Sequence, residues 1–354
     1  MFDLYERALL VGLTLQNRIV MAPMSRARAE DEARVPNALM ETYYRQRGSA
    51  GLVICEATHV SKNSVSRPHS PAIDRDEAIA PWARIPKAVH EQGGKIILQL
   101  YHVGRKAALF QMPNNEQPLA PSAIAAKGSV TTAIGKQDYA KPREMTQFDI
   151  DTAVEEFKQA AARSVEAGFD GIEIHAGNGY LIDQFIRSSS NMRSDSYGGS
   201  EHNRLRFLMD IVDEISAAMP GLRIGVRVTP RDMDDGCRDA DTPSIFAKLA
   251  TALNQRNVAF LHITEGVGKD NQYGITPILR ENFDGVLIAC GGFDKRSAEE
   301  WMTTRQADMI AFGTLFIANP DLPKRLKISA ELQVANRDHY RGGGAVGYAD
   351  YPSL

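Results

Sequence analysis

What most constrains this chain is a rhythm: eight short apolar runs, rich in β-branched residues, each closed by glycine, proline or polar residues. They are Arg18–Met21, Gly51–Cys55, Lys95–Leu100, Gly171–Ile174, Arg223–Val228, Val258–Ile263, Gly285–Ala289 and Asp308–Phe312. Helical periods lie between several of them. Ile150, Ala153, Val154, Phe157, Ala160, Ala161, Ser164 and Val165 fall on one helix face, with Thr146 placed to cap its start and Gly168 to stop it. Leu205, Leu208, Val212 and Ile215 repeat the pattern before Pro220-Gly221, and Ile245, Leu249 and Leu253 repeat it again.

Strands apolar on both sides need cover on both faces, and alternation with amphipathic helices supplies it in a parallel sheet. Eight such units close into an α/β (β/α)₈ TIM barrel, and 354 residues suit one barrel, so residues 1–354 are expected to form a single domain. An open doubly wound sheet would carry a glycine fingerprint in its first strand-to-helix turn, and Met21-Ala22-Pro23-Met24-Ser25 has none. Ahead of the barrel, Leu9-Leu10-Val11 and Thr14-Leu15 around Gly12 predict a β-hairpin. Two connections, residues 102–145 and 176–203, are too long for plain turns and predict loop excursions that shape a pocket.

Composition narrows the partners. A net charge of −3 leaves no electrostatic footprint for nucleic acid, and no run of residues is long and apolar enough for a membrane span. Cys55, Cys237 and Cys290 stand far apart without a Cys-x-x-Cys pair, so no zinc ribbon or cysteine-ligated cluster is encoded, and no metal is expected. A small-molecule substrate and a reduced cytoplasmic setting follow, for a monomer or a homo-oligomer.

In such a barrel the chemistry sits just beyond the C-terminal ends of the strands. The fourth run ends in Ile174-His175-Ala176-Gly177-Asn178-Gly179-Tyr180. His175 and Asn178 can donate two hydrogen bonds to one oxygen, and Tyr180 stands beside them with a phenolic proton. The other strand ends offer Pro23, Met24 and Ser25, then Glu56, Ala57 and Thr58, then Gln99, Tyr101 and His102, and then Arg227, an intrastrand cation that should face an anion or an acceptor-rich ligand. After the seventh and eighth runs, Gly291-Gly292 and Gly313-Thr314 leave bare backbone N–H groups where such barrels recurrently hold phosphate. The first strand end lacks a metal-binding cluster, and the sixth run carries His262 but no Schiff-base lysine. A barrel that binds a phosphorylated sugar and performs aldolase or isomerase chemistry stays open as an alternative.

The chain resembles the Old Yellow Enzyme family of FMN-dependent ene-reductases almost end to end. Matching segments include Asn17-Arg18-Ile19-Val20-Met21-Ala22-Pro23-Met24, Glu56-Ala57-Thr58, Gln99-Leu100-Tyr101-His102, Pro118-Leu119-Ala120-Pro121-Ser122, Ala167 through Phe185, Asn191 through Gly199, Phe316-Ile317-Ala318-Asn319-Pro320-Asp321-Leu322 and the tail from Tyr340. The resemblance implies FMN across the barrel mouth: phosphate at Gly291, Gly292, Gly313 and Thr314; Gln99 at the pyrimidine edge; Pro23, Met24, Ser25 and Ala57 along the ring; Arg227 by the edge that becomes anionic on reduction. NADPH or NADH would supply hydride. An α,β-unsaturated carbonyl compound, or a nitrate ester or nitro compound, would then bind through His175 and Asn178, with Tyr180 as proton donor and Tyr101 and Tyr340 lining the substrate side.

Three departures from the family pattern matter. Ser25 stands for a Thr or Cys, which keeps a hydroxyl; Tyr101 replaces a frequent Trp; Thr314 replaces the Arg that usually grips the phosphate. Thr314 predicts weaker FMN retention unless Lys295, Arg296 or Lys324 substitutes, and leaves a flavin-binding but catalytically degenerate member as a further alternative.

Overall fold

The structure is a computed structural model that describes residues 3–30, 32–112, 114, 116–132, 134–265 and 274–354. Eight strands pair in parallel and close into a barrel. A hairpin of β1 (Ala8–Leu10) and β2 (Leu13–Leu15) precedes it. The barrel begins with β3 (Ile19–Met21), β4 (Leu52–His59) and β5 (Ile96–Tyr101). The first long excursion then carries two small sheets, built from β6 (Leu119–Ala120), β7 (Ser129–Thr132), β8 (Gly135–Asp138) and β9 (Arg143–Glu144). β10 (Ile172–His175), β11 (Ile224–Val228), β12 (Phe260–Thr264), β13 (Val286–Cys290) and β14 (Met309–Phe312) complete the barrel, and β14 pairs with β3 to close it.

Each expected run is therefore a barrel strand, and the helical periods are helices. Gln147–Glu166 is capped as expected: the Thr146 hydroxyl accepts from the Asp149 N–H and the Asp149 carboxylate accepts from the Thr146 N–H, which satisfies two donors the helix leaves open. Glu201–Ala218 and Thr242–Asn254 are the other two. Among the described residues no helix is long and apolar enough to cross a membrane.

Two periods of the sequence decide what the barrel encloses. Outward strand residues such as Ile19, Val53, Ile96, Leu98, Ile172, Val226 and Leu261 pack with the helices in one continuous core. Their neighbours Val20, Leu52, Ile54, Ile97, Phe260, Ile288 and Met309 point inward and join Leu10, Leu13 and Leu15 of the hairpin, which plugs the N-terminal end. Gly225 leaves the room that the Phe260 ring fills: a Cβ there would lie 1.9 Å from that ring. Two residues further along the same inward positions, the side chains turn polar. Gln99, Glu173, Arg227 and His262 are all buried there. The bottom half of the barrel is thus a dry core and the top half a polar floor.

Candidate active site

The polar floor is a bonded network. Glu173 accepts from Gln99 Nε2 at 2.6 Å through one carboxylate oxygen and meets His262 Nδ1 at 2.7 Å through the other. Burial disfavours a charged His262, but the Glu173 carboxylate outweighs it and holds the imidazole pKa above its ordinary value. With its amide nitrogen committed to Glu173, Gln99 keeps its carbonyl oxygen as an acceptor on the wall of the cavity above. Arg227 donates to the Thr264 hydroxyl at 3.2 and 3.1 Å and to the Pro23 carbonyl at 3.5 Å, and among the described residues it has no carboxylate partner. A guanidinium that is 8% exposed without a counter-charge calls for an anionic or acceptor-rich ligand.

Above this floor opens a cavity of about 550 Å³. Of the residues expected in the site, Pro23, Met24, Ser25, Ala57, Gln99, His175, Asn178, Tyr180, Arg227, Gly313, Thr314 and Tyr340 line it. A register shift between Cys55 and Thr58 in β4 is what brings Ala57 to the wall. Tyr101 stands behind the wall instead: it is buried, its hydroxyl meets His59 Nε2 at 2.9 Å, and its ring packs edge-on against Tyr180 at 5.3 Å. Gly291 and Gly292 follow β13 outside the cavity lining; Gly292 has φ +83° and open space where a side chain would start.

The substitutes proposed for a phosphate-gripping arginine are engaged elsewhere or absent from the wall. Lys295 Nζ donates to the Ser329 hydroxyl at 2.7 Å, Lys324 Nζ donates to the Leu354 carbonyl at 3.3 Å, and Arg296 is not among the lining residues. The cavity instead takes Arg337, Asp338 and Arg341 from the C-terminal segment. Sequence reasoning missed these because they lie beyond the last strand, where no strand or helix period marks a position.

The clamp and phenol are assembled by one turn. Asn178 has φ +58° and Gly179 +69°, so the chain bends sharply after β10, and a Cβ at Gly179 would lie 2.1 Å from an Asp235 carboxylate oxygen. Gly177 N–H points at His175 Nδ1 from 3.3 Å, which leaves Nε2 to carry the imidazole proton. Burial, reinforced by Arg227, holds the His175 pKa well below its ordinary value, so the ring is neutral. Asn178 Oδ1 accepts from the Thr229 hydroxyl at 2.9 Å, which turns Nδ2 toward His175 Nε2, 3.3 Å away. Two donors this close cannot satisfy each other and can converge on a third atom, an oxygen. Tyr180 packs edge-on against His175 with ring centroids 5.2 Å apart. Lys106 braces the turn, donating to the Asn178 carbonyl at 2.9 Å while ion-paired to Asp235.

Thr229, one residue past β11, is a functional residue that its strand-end position could have revealed. Thr229→Val is expected to weaken binding of a phenolate-type anion about five- to tenfold, the worth of roughly one hydrogen bond, with Thr229→Ser retaining the affinity. An unchanged dissociation constant in Thr229→Val would show that Asn178 keeps its orientation without the hydroxyl.

The neighbouring loops anchor rather than react. His102 Nδ1 accepts from the Gly104 N–H at 3.1 Å, and burial takes its pKa down to about 3. Arg193 is fixed to Asp195 and to the carbonyls of Pro121 and Met145, and the Asp195 carboxylate accepts from the Tyr197 N–H.

An acceptor amide and an unpaired cation below, with converging donors and a phenol above, fit the edge and face of a flavin, and the lining holds no lysine for Schiff-base chemistry among the described residues. Fold and site together define a barrel oxidoreductase that works with bound FMN. The model of the NADH:flavin oxidoreductase / NADH oxidase family matches residues 8–333, and the chain belongs to that family, the Old Yellow Enzyme family. A probable flavin mononucleotide-dependent alkene reductase of Leishmania infantum is 36% identical over 358 residues, spanning 99% of this chain and 98% of that protein. Morphinone reductase, solved in complex with tetrahydroNAD, superposes with a TM-score of 0.94 at 38% identity, covering 99% of this chain and 97% of the other. The Old Yellow Enzyme homologue from Zymomonas mobilis gives 0.96 at 37% identity over 99% and 100% of the two chains.

Proposed function

We propose that residues 1–354 act as a single FMN-binding domain that reduces the C=C bond of α,β-unsaturated carbonyl compounds with NADPH or NADH, in the cytoplasm. The observation that carries this reading is the convergence of His175 Nε2 and Asn178 Nδ2, 3.3 Å apart, beside Tyr180 in the one cavity that Gln99 and Arg227 also line.

The chemistry that bound FMN supplies is transfer of a hydride equivalent from the nicotinamide to the β-carbon of the alkene. Gln99, Arg227, Ser25 and the backbone around Ala57 would hold the ring system, with Arg227 opposing negative charge on its edge. Gly313, Thr314 and Arg337 would hold the phosphate, joined by the backbone of Gly291 and Gly292. His175 and Asn178 bind the substrate carbonyl oxygen and bind it more tightly as charge builds there, so their effect falls on the barrier rather than on the ground state. Tyr180 delivers a proton to the α-carbon from its hydroxyl. Tyr101 sets the position of the Tyr180 ring from behind, and Tyr340 closes the substrate side.

A visible spectrum of the purified protein, identification of the chromophore released on heating, and NADPH oxidation with a cyclic enone test the proposal together. A colourless preparation that takes up no added FMN overturns it. Because Thr314 supplies no charge and an exposed Arg337 would be the phosphate's cationic contact, part of the protein is expected to purify without flavin; full occupancy after extensive dialysis counts against that. Arg337→Gln is expected to raise the FMN dissociation constant about tenfold or more, as loss of a charge-assisted hydrogen bond implies, read from the fluorescence of released flavin. No change would leave the phosphate to backbone donors alone.

A further inference from the structure

The cavity wall carries more positive charge than a flavin needs. Arg26, Arg227, Arg337 and Arg341 line it against a single carboxylate, Asp338, among the described residues. Arg26 is spent on structure, donating to the carbonyls of Tyr340, His339 and Gly347 and to the Tyr43 hydroxyl. Arg227 belongs to the floor, and Arg337 has been assigned above to the phosphate side.

Arg341 is different. Its backbone is fixed on either side: Arg26 Nε donates to the Tyr340 carbonyl at 2.8 Å, and the Gly342 N–H donates to the Arg26 carbonyl at 2.9 Å. Arg28 ties the same segment down further along, through the carbonyls of His339 and Gly344. Yet the Arg341 guanidinium, on the wall of a cavity that also holds His175, Asn178 and Tyr180, has no hydrogen bond and no carboxylate within ion-pair distance among the described residues. The charges and phenols that bear on it are another cation, Arg67, and the hydroxyls of Tyr180 and Tyr101. Arg67 is likewise without a hydrogen bond or ion pair among the described residues, and it also acts on Tyr101 and Tyr139. Lys106, the third cation near this rim, is neutralised by Asp235. A guanidinium carried on an anchored segment at the wall of this cavity, without an internal counter-ion, is open to an anion that would accept from it.

We propose that Arg341 forms an anion subsite at the mouth of the active site, for a carboxylate or phosphate carried by the molecule whose reacting part lies at His175, Asn178 and Tyr180. The subsite rests on the ene-reductase reading and names its ligand class: an activated alkene with a remote carboxylate, or the phosphate-bearing portion of the nicotinamide dinucleotide. Both present the same oxygens to a guanidinium fork.

Binding to the FMN-loaded enzyme separates these cases. Phenol and 3-(4-hydroxyphenyl)propionate, titrated by the change they produce in the flavin spectrum, probe one pocket without and with a remote carboxylate; NADPH affinity is read in parallel from the concentration dependence of flavin reduction in anaerobic stopped flow. Arg341→Gln is expected to weaken the carboxylated phenol or NADPH about ten- to a hundredfold, in a way that added salt reproduces in the parent protein, while phenol binding and reoxidation of the pre-reduced enzyme by 2-cyclohexenone stay within twofold. Arg341→Lys should recover part of the loss. Weakening of the propionate alone assigns the subsite to a carboxylated substrate, and weakening of NADPH alone assigns it to the dinucleotide. Unchanged affinity for both anions, or an equal loss for phenol, overturns the subsite. Failure of the parent protein to bind phenol or reduce 2-cyclohexenone would instead overturn the ene-reductase reading beneath it.

Discussion

Tyr180→Phe is expected to lower enone turnover by about 10²- to 10⁴-fold while reduction of the enzyme by the nicotinamide keeps its rate, the range spanned by losing a positioned general acid. The two half-reactions differ in what they ask of the phenol. Taking electrons from the nicotinamide requires only that the donor lie against the cavity floor, and the oxygen of Tyr180 contributes nothing to that. Finishing the alkene requires a proton on the α-carbon. The phenylalanine variant should fold, because the Tyr180 ring is what packs against Tyr101 and His175 at 5.3 and 5.2 Å, and among the described residues its hydroxyl donates no hydrogen bond to protein. Stopped-flow measurement of each half-reaction separately decides the matter. If both fall together, Tyr180 positions ligands rather than donating a proton; if neither falls, water or another group supplies the proton.

The barrel was legible because its strands are buried on both faces. Ile96, Ile97 and Leu98 are all fully buried, but Ile97 faces the barrel interior and its neighbours the helices, so the sequence shows an unbroken apolar run bounded by polar residues. The site was legible to the extent that it sits at strand ends: His175 closes β10 and Arg227 lies next to the last residue of β11. What escaped is of two kinds. Glu173 and His262 act through their bond to each other across 89 positions, and one-dimensional spacing holds no trace of such a pairing. Arg337 and Arg341 reach the cavity because Arg26 and Arg28 pin an irregular segment by its carbonyls, and backbone carbonyls are the same at every position. Whether a lysine could substitute for the missing arginine was equally illegible, since a flexible side chain near the right strand end can turn to another oxygen, as Lys295 does to Ser329 and Lys324 to Leu354.

Removing the clamp is the second large effect. His175→Ala with Asn178→Ala is expected to cost at least about 10²-fold in kcat/KM for an enone, the loss associated with even one preorganised donor to a developing oxyanion, and the pair should cost less than the product of the single changes because the two donors serve one atom. The same variant should lose most of its affinity for phenolate-type anions. Protonation gives a separate signature. Since burial and Arg227 hold the His175 pKa well below its ordinary value of 6.5, the ring stays neutral as pH falls from 8 to about 5.5, and binding of a neutral enone should be flat across that window. A charged imidazolium with a pKa near 6.5 would instead tighten the carbonyl contact on the acid side and draw an inflection there. An inflection that disappears in His175→Ala would mean that the imidazole charges within the window, and Gly177 N–H could then no longer donate to Nδ1. The flat profile and the shared loss therefore test the same statement about atoms: Nδ1 is an acceptor used by the backbone, and Nε2 is the donor left for the substrate.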